Sequence, residues 1–559
     1  MAIGVLIGVL CIVAANALAR KLQVAAPIAL VLTGVLASLQ PVFECPRITI
    51  APELILQGVL PLLLFAAAVS MPATSFRRNF GPIAGLSVTL VVATSLSLGW
   101  LFSRLVPGLG FAGGVALGAV ISPTDAVATT IVKRIGVAPR VVAVLDGEAM
   151  LNDASALVIV RTALAAMGAA STRVGPAIGK FFLSILIASV IGFAVGWISL
   201  QIRRRVEHVT TNTLFSFVVP FLAFQPAEHA GASGLVAVVA AGLVIGHAAP
   251  RYLAPHLRVN ETINWRTIEM LLEGGLFLLM GLQLVALLDA ARADLGFAIG
   301  LAAAALGVTL ATRVLYVPLI LRSVRHHRDR FEKNRTRAED MRVNLVAKAE
   351  TDAKAKSRLA RFQTRLNRFL ADADYESTSQ LGARDAILLI WAGMRGAITL
   401  AAAETLPEDF PHRSLLVLVA FIVATSSIVI QGSTVGWLVR KLKFPPRDEV
   451  AFAKERDAIL KELLAAAHTV LHDGDVRMKY GDEMVDRLEA RLADTKDLEK
   501  FSDISTLVDD VFEAQRRRIL DVRNEGAYSA ELLTSVLNRV DAMQLGMSLT
   551  RRGRVGDDD

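Results

Sequence analysis

Long apolar stretches separated by short polar turns make up most of the first 440 residues of the chain. A helix needs about 17 to 25 apolar residues to cross the hydrocarbon core of a bilayer. About thirteen windows approach that length, so the pattern predicts an all-α polytopic membrane protein with about thirteen transmembrane helices. These windows lie near residues 1–19, 24–40, 51–70, 81–103, 111–132, 141–168, 181–201, 210–225, 232–247, 267–288, 296–321, 384–405 and 414–439.

Two polar segments interrupt or follow this apolar pattern. Residues 322–383, rich in Arg, Lys, Asp and Ala, predict a solvated helical insert between two spans. Beyond Pro446, apolar residues recur at helical spacing among charged ones. We therefore expect a transmembrane domain at 1–440, with a cytoplasmic insert at 322–383, and a cytoplasmic helical domain at 446–559. The apolar positions of this last domain are Ile459, Leu460, Leu463, Leu464, Ile519, Leu520, Leu532, Leu533, Val536 and Leu537.

These polar segments leave their own roles open. The C-terminal helices are expected to pack against the membrane domain or a second copy, either as plain structure or as a regulatory unit. His326 and His327 stand in the basic start of the insert. They belong to a solvated face beside anionic lipid or, alternatively, sense pH.

The composition excludes a soluble protein. The chain is 54% hydrophobic and 20% charged, with a mean hydropathy of +0.52, whereas soluble domains carry more charge and fewer apolar residues. The net charge of +8 is best explained by loops that face an anionic leaflet, and not by nucleic acid. We expect a lipid bilayer as the partner surface, in the plasma membrane, with the bacterial inner membrane favoured by the compact loops.

The distribution of basic residues predicts the orientation. Lys and Arg collect on the cytoplasmic side of membrane proteins. The bias favours an N-terminus outside and a C-terminus in the cytoplasm, because the loops then facing inside carry the larger basic set: Arg20, Lys21, Arg77, Arg78, Lys133, Arg134, Arg140, Arg203, Arg204, Arg205, Arg251 and Arg258.

The chemistry of the chain centres on acidic residues inside apolar windows. Asp153 follows Asn152 within such a window, and a carboxylate at membrane depth costs roughly 2.5 to 3.5 kcal/mol on insertion scales. Asp125 and Glu148 lie in the same part of the sequence, so three acids share one stretch of membrane. Because this density is hard to explain by packing, it indicates an ion or proton site.

Two patterns that break helices accompany these acids. Ser122-Pro123-Thr124-Asp125 contains a proline, which lacks the amide hydrogen that a helix needs. Gly393-Met394-Arg395-Gly396 places two glycines around a cation in the other half of the membrane domain. Broken helices at membrane depth are tolerated where they line a cavity. The pair predicts inverted repeats, with two broken helices crossing near the bilayer midplane.

A count of charges selects Asp153 as the transport site. Arg313 and Arg395 are the only clearly membrane-embedded arginines, so two cations face three acids and one carboxylate stays free. We assign the free carboxylate to Asp153, because the neighbouring Asn152 is neutral. A desolvated carboxylate holds protons more tightly than one in water, so proton and cation compete for it. Nothing resembles a phosphate loop, a nucleophilic triad or a metal cluster, so we expect a transporter driven by an ion gradient and not an enzyme.

Five motifs together resemble the electroneutral sodium/proton exchangers of the first monovalent cation:proton antiporter family. Their order and spacing are similar over residues 1–440. They are Gly118-Ala119-Val120-Ile121-Ser122-Pro123-Thr124-Asp125; Gly147-Glu148 with Asn152-Asp153; Ala227-Glu228 with Ser233-Gly234; Glu273 with Phe277 and Gly281; and Trp391-Ala392-Gly393-Met394-Arg395-Gly396-Ala397.

The resemblance implies a homodimer in which a core domain carries the ion by an elevator-like movement. It implies that Asp153 binds Na⁺ and H⁺ in turn, with Thr124, Asn152 and Asp125 in the ion-binding set, and that no cofactor is needed beyond the transported ions. It also implies that Glu148 pairs with Arg395 and Asp125 faces Arg313. Ser122, Pro123 and Glu273 are the further candidates for supporting this site, Glu273 having a purely structural alternative.

Two departures from the family pattern keep the transported cation open. Ala66 stands where an acid is common, and Ala149 where a hydroxyl residue is common after the Gly-Glu pair. Both changes remove oxygen ligands, so selectivity for lithium or potassium remains an alternative to sodium. A potassium/proton antiporter is thus the second hypothesis, and a membrane sensor that binds cations at the same site is the third.

Overall fold

The structure is a computed structural model. It describes residues 2–22, 25–39, 52–167, 174–290, 294–349, 372, 375, 381–444, 449–493, 505–526 and 528–555. The described residues form helices and short connections with no strand, and helix occupies every one of the apolar windows of the sequence. The all-α polytopic fold class is therefore confirmed.

The membrane part consists of helices α1 to α16, whose bounds follow in chain order. They are α1 Ala2–Leu22, α2 Ala26–Ser38, α3 Pro52–Leu54 continued by Ile55–Val59 and Leu60–Ser70, α4 Ala73–Arg78, α5 Phe80–Leu105, α6 Gly110–Ile121, α7 Val127–Ile135, α8 Pro139–Met167, α9 Val174–Arg203, α10 Val209–His229, α11 Gly234–Tyr252, α12 Pro255–Ala290, α13 Leu295–Ala349, α14 Ala383–Trp391, α15 Ala397–Glu404 and α16 Arg413–Leu442.

Seven of the described helices are long and apolar enough to cross a membrane by themselves. They include α5, α8, α11 and α16 in full, together with Gly179–Arg203, Pro255–Leu284 and Leu295–His326. Others, such as α2 and α6, are apolar but shorter. The total of about thirteen crossings therefore stays a prediction, while a multi-pass membrane protein is established.

Helices α5 and α6 pack with their backbones nearly in contact, because glycines line the seam. A Cβ atom on Gly114 would lie 2.5 Å from the carbonyl oxygen of Gly99, and one on Gly118 would lie 2.6 Å from that of Ser95. Small residues of this kind let membrane helices approach closely. The seam holds the C-terminal end of α6 in place, where the first broken segment begins.

Helix α8 lies at the centre of the membrane domain. Its residues Val144 and Val160 pack into one hydrophobic cluster, which includes α5, α6 and α16. Met150 and Ala154 pack into a second cluster, which includes α3, α10 and α11. Asp153, on the same helix, is therefore enclosed by protein.

The start of the polar insert continues a membrane helix. Helix α13 runs without interruption from Leu295 to Ala349, so the helical expectation is met for the first part of the insert. The later part of the insert contacts the end of α4, where Asp372 forms ion pairs with Arg77 at 2.9 Å and with Arg78 at 2.7 Å. His326 is exposed, and the side chain of His327 lies outside the described residues.

The C-terminal segment folds into five described helices: α17 Glu449–Leu471, α18 Gly474–Tyr480, α19 Asp482–Ala493, α20 Ser505–Glu525 and α21 Ala530–Val555. Their apolar faces enclose a hydrophobic cluster of their own, with Ile459, Leu463 and Ile519 at its centre. Leu460 and Leu464, expected on the same face, each remain 42% exposed. Helical periodicity therefore identified the buried face of the helix correctly but also included Leu460 and Leu464, which lie at its exposed edge.

Three polar contacts between described residues help to dock this C-terminal unit onto the membrane domain. Asp541 forms a buried ion pair with Arg258 at 2.6 Å. Arg523 donates a hydrogen bond to the backbone carbonyl of His247 at 2.8 Å. Arg78 donates to that of Gly526 at 3.0 Å. The C-terminal unit therefore lies on the side of the protein where α11 ends and α12 begins.

Candidate ion-binding site

The first broken segment separates α6 from α7. Helix α6 ends at Ile121, residues 122–125 are irregular, and α7 begins at Val127. Pro123 is buried and cannot donate a helical hydrogen bond. The hydroxyl of Ser122 donates to the carbonyl of Val91 on α5 at 3.3 Å. Ser122 thus anchors the break to α5, and its hydroxyl is not directed at a carboxylate.

The second broken segment separates α14 from α15, and it touches the first. The amide of Asp125 donates to the carbonyl of Met394 at 2.7 Å. A Cβ atom on Gly396 would lie 1.6 Å from Oδ2 of Asp125, and one on Gly393 would lie 2.3 Å from Cζ of Arg313. The two glycines are therefore required because charged side chains occupy the space that a larger residue would need.

Arg395 satisfies backbone carbonyls at this contact. Its guanidinium donates to the carbonyl of Ile121 at 3.2 Å, to that of Ser122 at 3.3 Å, and to that of Gly393. The last carbonyls of a helix carry partial negative charge and have no partner within the helix. Arg395 thus compensates the C-terminal end of α6, while its own amide donates to Oγ of Ser427 at 2.9 Å.

Glu148 pairs with Arg313, and the expected pairings of Glu148 with Arg395 and of Asp125 with Arg313 are wrong. Arg313 donates to the two carboxylate oxygens of Glu148 at 2.6 and 3.2 Å and to the carbonyl of Leu389 at 2.7 Å. Both side chains are 2% exposed. The physical reason is that Arg395 is already occupied by carbonyls, so the nearest free guanidinium for Glu148 is on α13.

Asn152 and Thr124 join the first break to α8. The side-chain amide of Asn152 donates to the backbone carbonyl of Thr124 at 2.9 Å and to its Oγ1 at 2.7 Å. The Thr124 hydroxyl lies 3.1 Å from Oε1 of Glu148 and donates to it. Oδ1 of Asn152 is buried and has no hydrogen-bond partner among the described residues. Asn152 therefore positions the break and offers one acceptor oxygen to a ligand.

Asp153 and Asp125 are both without a cationic partner in the described part of the chain. Asp153 is 4% exposed. Asp125 is half-buried, and its Oδ1 accepts a hydrogen bond from the amide of Val127 at 3.2 Å. The two carboxylates are close enough for their charges to interact. The charge count from the sequence left a single free acid and is corrected here to two, because Arg395 pairs with carbonyls instead of a carboxylate.

Glu273, on α12, is half-buried, and its charge interacts with those of Asp125 and Glu269. This places Glu273 beside the site. Glu228, by contrast, forms an ion pair with Arg161 at 2.7 Å and accepts from the amide of Gly234 at 2.9 Å, which fastens the start of α11.

Several buried arginines outside the site escaped the sequence argument. Arg203 is fully buried and pairs with Glu261 at 2.9 Å, and Arg140 is 3% exposed and donates to Asn79 at 3.0 Å. Their positions at the ends of apolar windows suggested solvated loops. Thr399, a buried hydroxyl residue with 1% exposure just after the second break, was also not predicted. Its position three residues beyond Gly396 was the signal that could have identified it.

Comparisons with known proteins agree with this architecture. The family model described as "Sodium/hydrogen exchanger, transmembrane" matches residues 6–441. The uncharacterized Na⁺/H⁺ exchanger YjcE of Escherichia coli is 30% identical over 490 residues, which cover 85% of this chain and 80% of that protein. The Na⁺/H⁺ antiporter NhaG of Bacillus atrophaeus is 24% identical, over 84% and 82% of the two chains.

A solved structure supports the fold. That of the sodium proton antiporter MjNhaP1 from Methanocaldococcus jannaschii at pH 8 superposes with a TM-score of 0.56 at 17% identity. The match covers 79% of this chain and 97% of the archaeal one.

Proposed function

Because the chain belongs to the sodium/hydrogen exchanger family, we propose that it exchanges one monovalent cation, Na⁺ by preference, for one proton, with Asp153 holding each in turn. The observation that carries this proposal is the state of Asp153. It is 4% exposed, follows Asn152, which donates hydrogen bonds to the first broken segment, and forms no ion pair within the described residues. A buried carboxylate in that state needs either a proton or a metal ion.

The atoms around Asp153 suit a hard cation. Na⁺ is bound by oxygen atoms, and the carboxylates of Asp153 and Asp125 supply them together with Oδ1 of Asn152. Thr124 contributes indirectly, since its carbonyl and hydroxyl hold the Asn152 amide. The pairing of Glu148 with Arg313 leaves neither charge free to compete for the ion.

A one-for-one exchange follows if Asp125 stays ionised while Asp153 titrates. Asp125 accepts from the amide of Val127 at the N-terminus of α7, where the partial positive charge of the helix stabilises an anion. With Asp125 ionised, the site carries one net negative charge when Asp153 is protonated. It carries the same net charge when both acids are ionised and one Na⁺ is bound. The loaded site then carries equal charge in both directions.

Transport by the purified full chain in proteoliposomes tests the assigned site. An imposed pH gradient should drive Na⁺ flux in the wild type, and Asp153→Asn should abolish it, because the variant can neither release a proton nor bind a cation electrostatically. Glu228→Gln is the matched control, since this carboxylate lies outside the site and should leave flux unchanged. Flux that persists in Asp153→Asn rejects the site.

Dependence on membrane potential tests the stoichiometry separately. The exchange rate should not respond to an imposed potential, because no net charge moves with the loaded site. A clear acceleration would show that Asp125 also takes up a proton, so that two protons exchange for one Na⁺.

A potassium/proton antiporter is the second candidate, favoured by one observation. Ala66 is buried with 3% exposure and Ala149 lies one turn before Asp153, and neither side chain brings an oxygen to the site. A competition series with Na⁺, Li⁺ and K⁺ at fixed pH decides between the candidates. Na⁺ should be the strongest competitor, and dominant inhibition by K⁺ would select the alternative.

We extend the proposal to the assembly and its placement. The family resemblance supports a homodimer with an elevator-like movement, which cross-linking in native membranes tests. The C-terminal unit contacts Arg258 and Arg78, which belong to the basic residues predicted to face inside. These contacts support a cytoplasmic C-terminus and an external N-terminus in a bacterial inner membrane. Accessibility labelling of a cysteine placed in α21 tests the orientation.

A further inference from the structure

The C-terminal unit carries a cluster of metal-ligating side chains that ion exchange does not use. His468, in the last turn of α17, and His472, just after it, are the two histidines of the segment 446–559. The amide of His472 donates to the carbonyl of His468 at 2.9 Å, so helical geometry continues and the two side chains share a face. Glu489 of α19 lies opposite this face.

The ligand atoms of these three residues converge on one point. Nδ1 of His468 lies 3.1 Å from Oε1 of Glu489, and Nε2 of His472 lies 3.8 Å from the same oxygen. The three ligand atoms all lie within 4.8 Å of one another. Metal bonds of about 2.0 to 2.1 Å in tetrahedral geometry place ligand atoms roughly 3.3 Å apart. Small side-chain rotations therefore suffice to bring all three onto one ion.

The hydrogen bonds of the cluster orient the ligand atoms towards one another. Nδ1 of His472 lies 3.0 Å from the carbonyl of His468, and because a carbonyl can only accept, Nδ1 donates there and Nε2, directed at Glu489, is the nitrogen left for a metal. Metal-binding histidines are commonly oriented in this way by their second nitrogen. Nδ1 of His468 donates to Oε1 of Glu489 and loses that proton when a metal binds. Arg477 lies 3.9 Å from Oε2 of Glu489, which leaves Oε1 to face the histidines.

The hydrophobic core below the cluster fixes its spacing. Leu471, Val485 and Leu488 are buried between α17 and α19, with exposures of 2% or less. The cluster itself is accessible, since the side chains of His468 and His472 are 53% and 58% exposed and that of Glu489 is 29% exposed. An ion can therefore enter from solvent without rearranging the fold.

We propose that His468, His472 and Glu489 form a binding site for a divalent transition metal of the Zn²⁺ class, which fastens α17 to α19. Two imidazoles and one carboxylate suit Zn²⁺, with a water molecule as the fourth ligand, whereas Mg²⁺ and Ca²⁺ prefer oxygen ligands throughout. Metal binding at this site stabilises the C-terminal unit and does not depend on the proposed antiport.

Zinc binding to the full-length chain, purified without a histidine tag and stripped with chelator, tests the site. Zn²⁺ alone is titrated in saturating Na⁺, and bound zinc is measured by elemental analysis after dialysis. The wild type should bind about one Zn²⁺ per chain. Glu489→Gln and His468→Ala should each weaken binding at least tenfold, and Zn²⁺ should raise the unfolding temperature of the wild type but of neither variant.

Three controls make the result specific. Glu483→Gln alters an exposed carboxylate of the same helix and should bind zinc like the wild type. Asp153→Ala should also retain binding, which separates this site from the transport site. Mg²⁺ should not compete. A wild type that binds no more zinc than Glu489→Gln would overturn the proposal and leave an ordinary exposed histidine-carboxylate contact.

Discussion

Removal of either partner of the buried ion pair between Glu148 and Arg313 should be strongly destabilising, and the losses from removing both should be less than additive. The pair has two hydrogen bonds, at 2.6 and 3.2 Å, and both side chains are 2% exposed. Breaking a buried pair on one side leaves an uncompensated charge and costs about 3 to 5 kcal/mol. We expect Glu148→Gln and Arg313→Met each to lower the free energy of unfolding by about that amount.

The double variant measures how much of this cost comes from the pairing. With both charges removed, no charge is left unpaired, so the loss should be smaller than the sum of the single losses by about 2 to 3 kcal/mol. The assay is denaturant unfolding of the detergent-solubilised chain followed by tryptophan fluorescence. Folding of each variant is checked by size-exclusion chromatography before titration.

A second cycle decides between the two candidate partners of Glu148. Arg395 donates to the carbonyls of Ile121 and Ser122, so Glu148→Gln and Arg395→Met should combine almost additively. We expect the coupling energy between Glu148 and Arg395 to be less than half of that between Glu148 and Arg313. If coupling to Arg395 equals or exceeds coupling to Arg313, the assignment of Arg395 to the end of α6 is refuted.

Two further predictions concern the contact of the broken helices and the docking of the C-terminal unit. Gly396→Ala should lower flux at least tenfold, because the added Cβ would lie 1.6 Å from Oδ2 of Asp125. Gly300→Ala, which adds a Cβ in open space, should transport normally. Equal flux in the two variants would contradict the tight contact between Gly396 and Asp125. Asp541→Asn should leave Arg258 buried without its counter-charge, at a cost of about 3 kcal/mol. Protease should then cleave the C-terminal unit on the order of a hundredfold faster. An unchanged cleavage rate would show that this ion pair does not stabilise the contact between the C-terminal unit and the membrane domain.

The interaction partners could not be predicted as well as the helices. Glu148 could be paired equally well with Arg313 or Arg395 by counting charges, since the count contains no distances. The choice depends on Arg395 being taken up by carbonyls at the end of α6, and a backbone acceptor carries no signature in the residue pattern. Because the charge count assigned Arg395 to a carboxylate, it also failed to predict that Asp125 lacks a cationic partner among the described residues.

The burial of arginines beyond the site illustrates the same limit. Arg203 and Arg140 stand at the ends of apolar windows and Arg258 stands between two of them, where a basic residue ordinarily faces water and anionic headgroups. In the fold they are covered by other elements, as when Asp541 reaches Arg258 from 283 positions further along the chain. Burial of this kind depends on which segments meet.

The amino-acid sequence by itself determined the helical membrane fold, the two breaks and the candidate acid Asp153. These are local properties: a run of apolar residues spans a bilayer wherever it occurs, and Pro123 interrupts a helix whatever surrounds it. Only the tertiary structure decided which charges meet, because a pairing depends on distances between segments far apart in the chain. Arg313 and Glu148, separated by 165 positions, became partners through the packing of α13 against α5 and against α14, the helix that leads into the second broken segment.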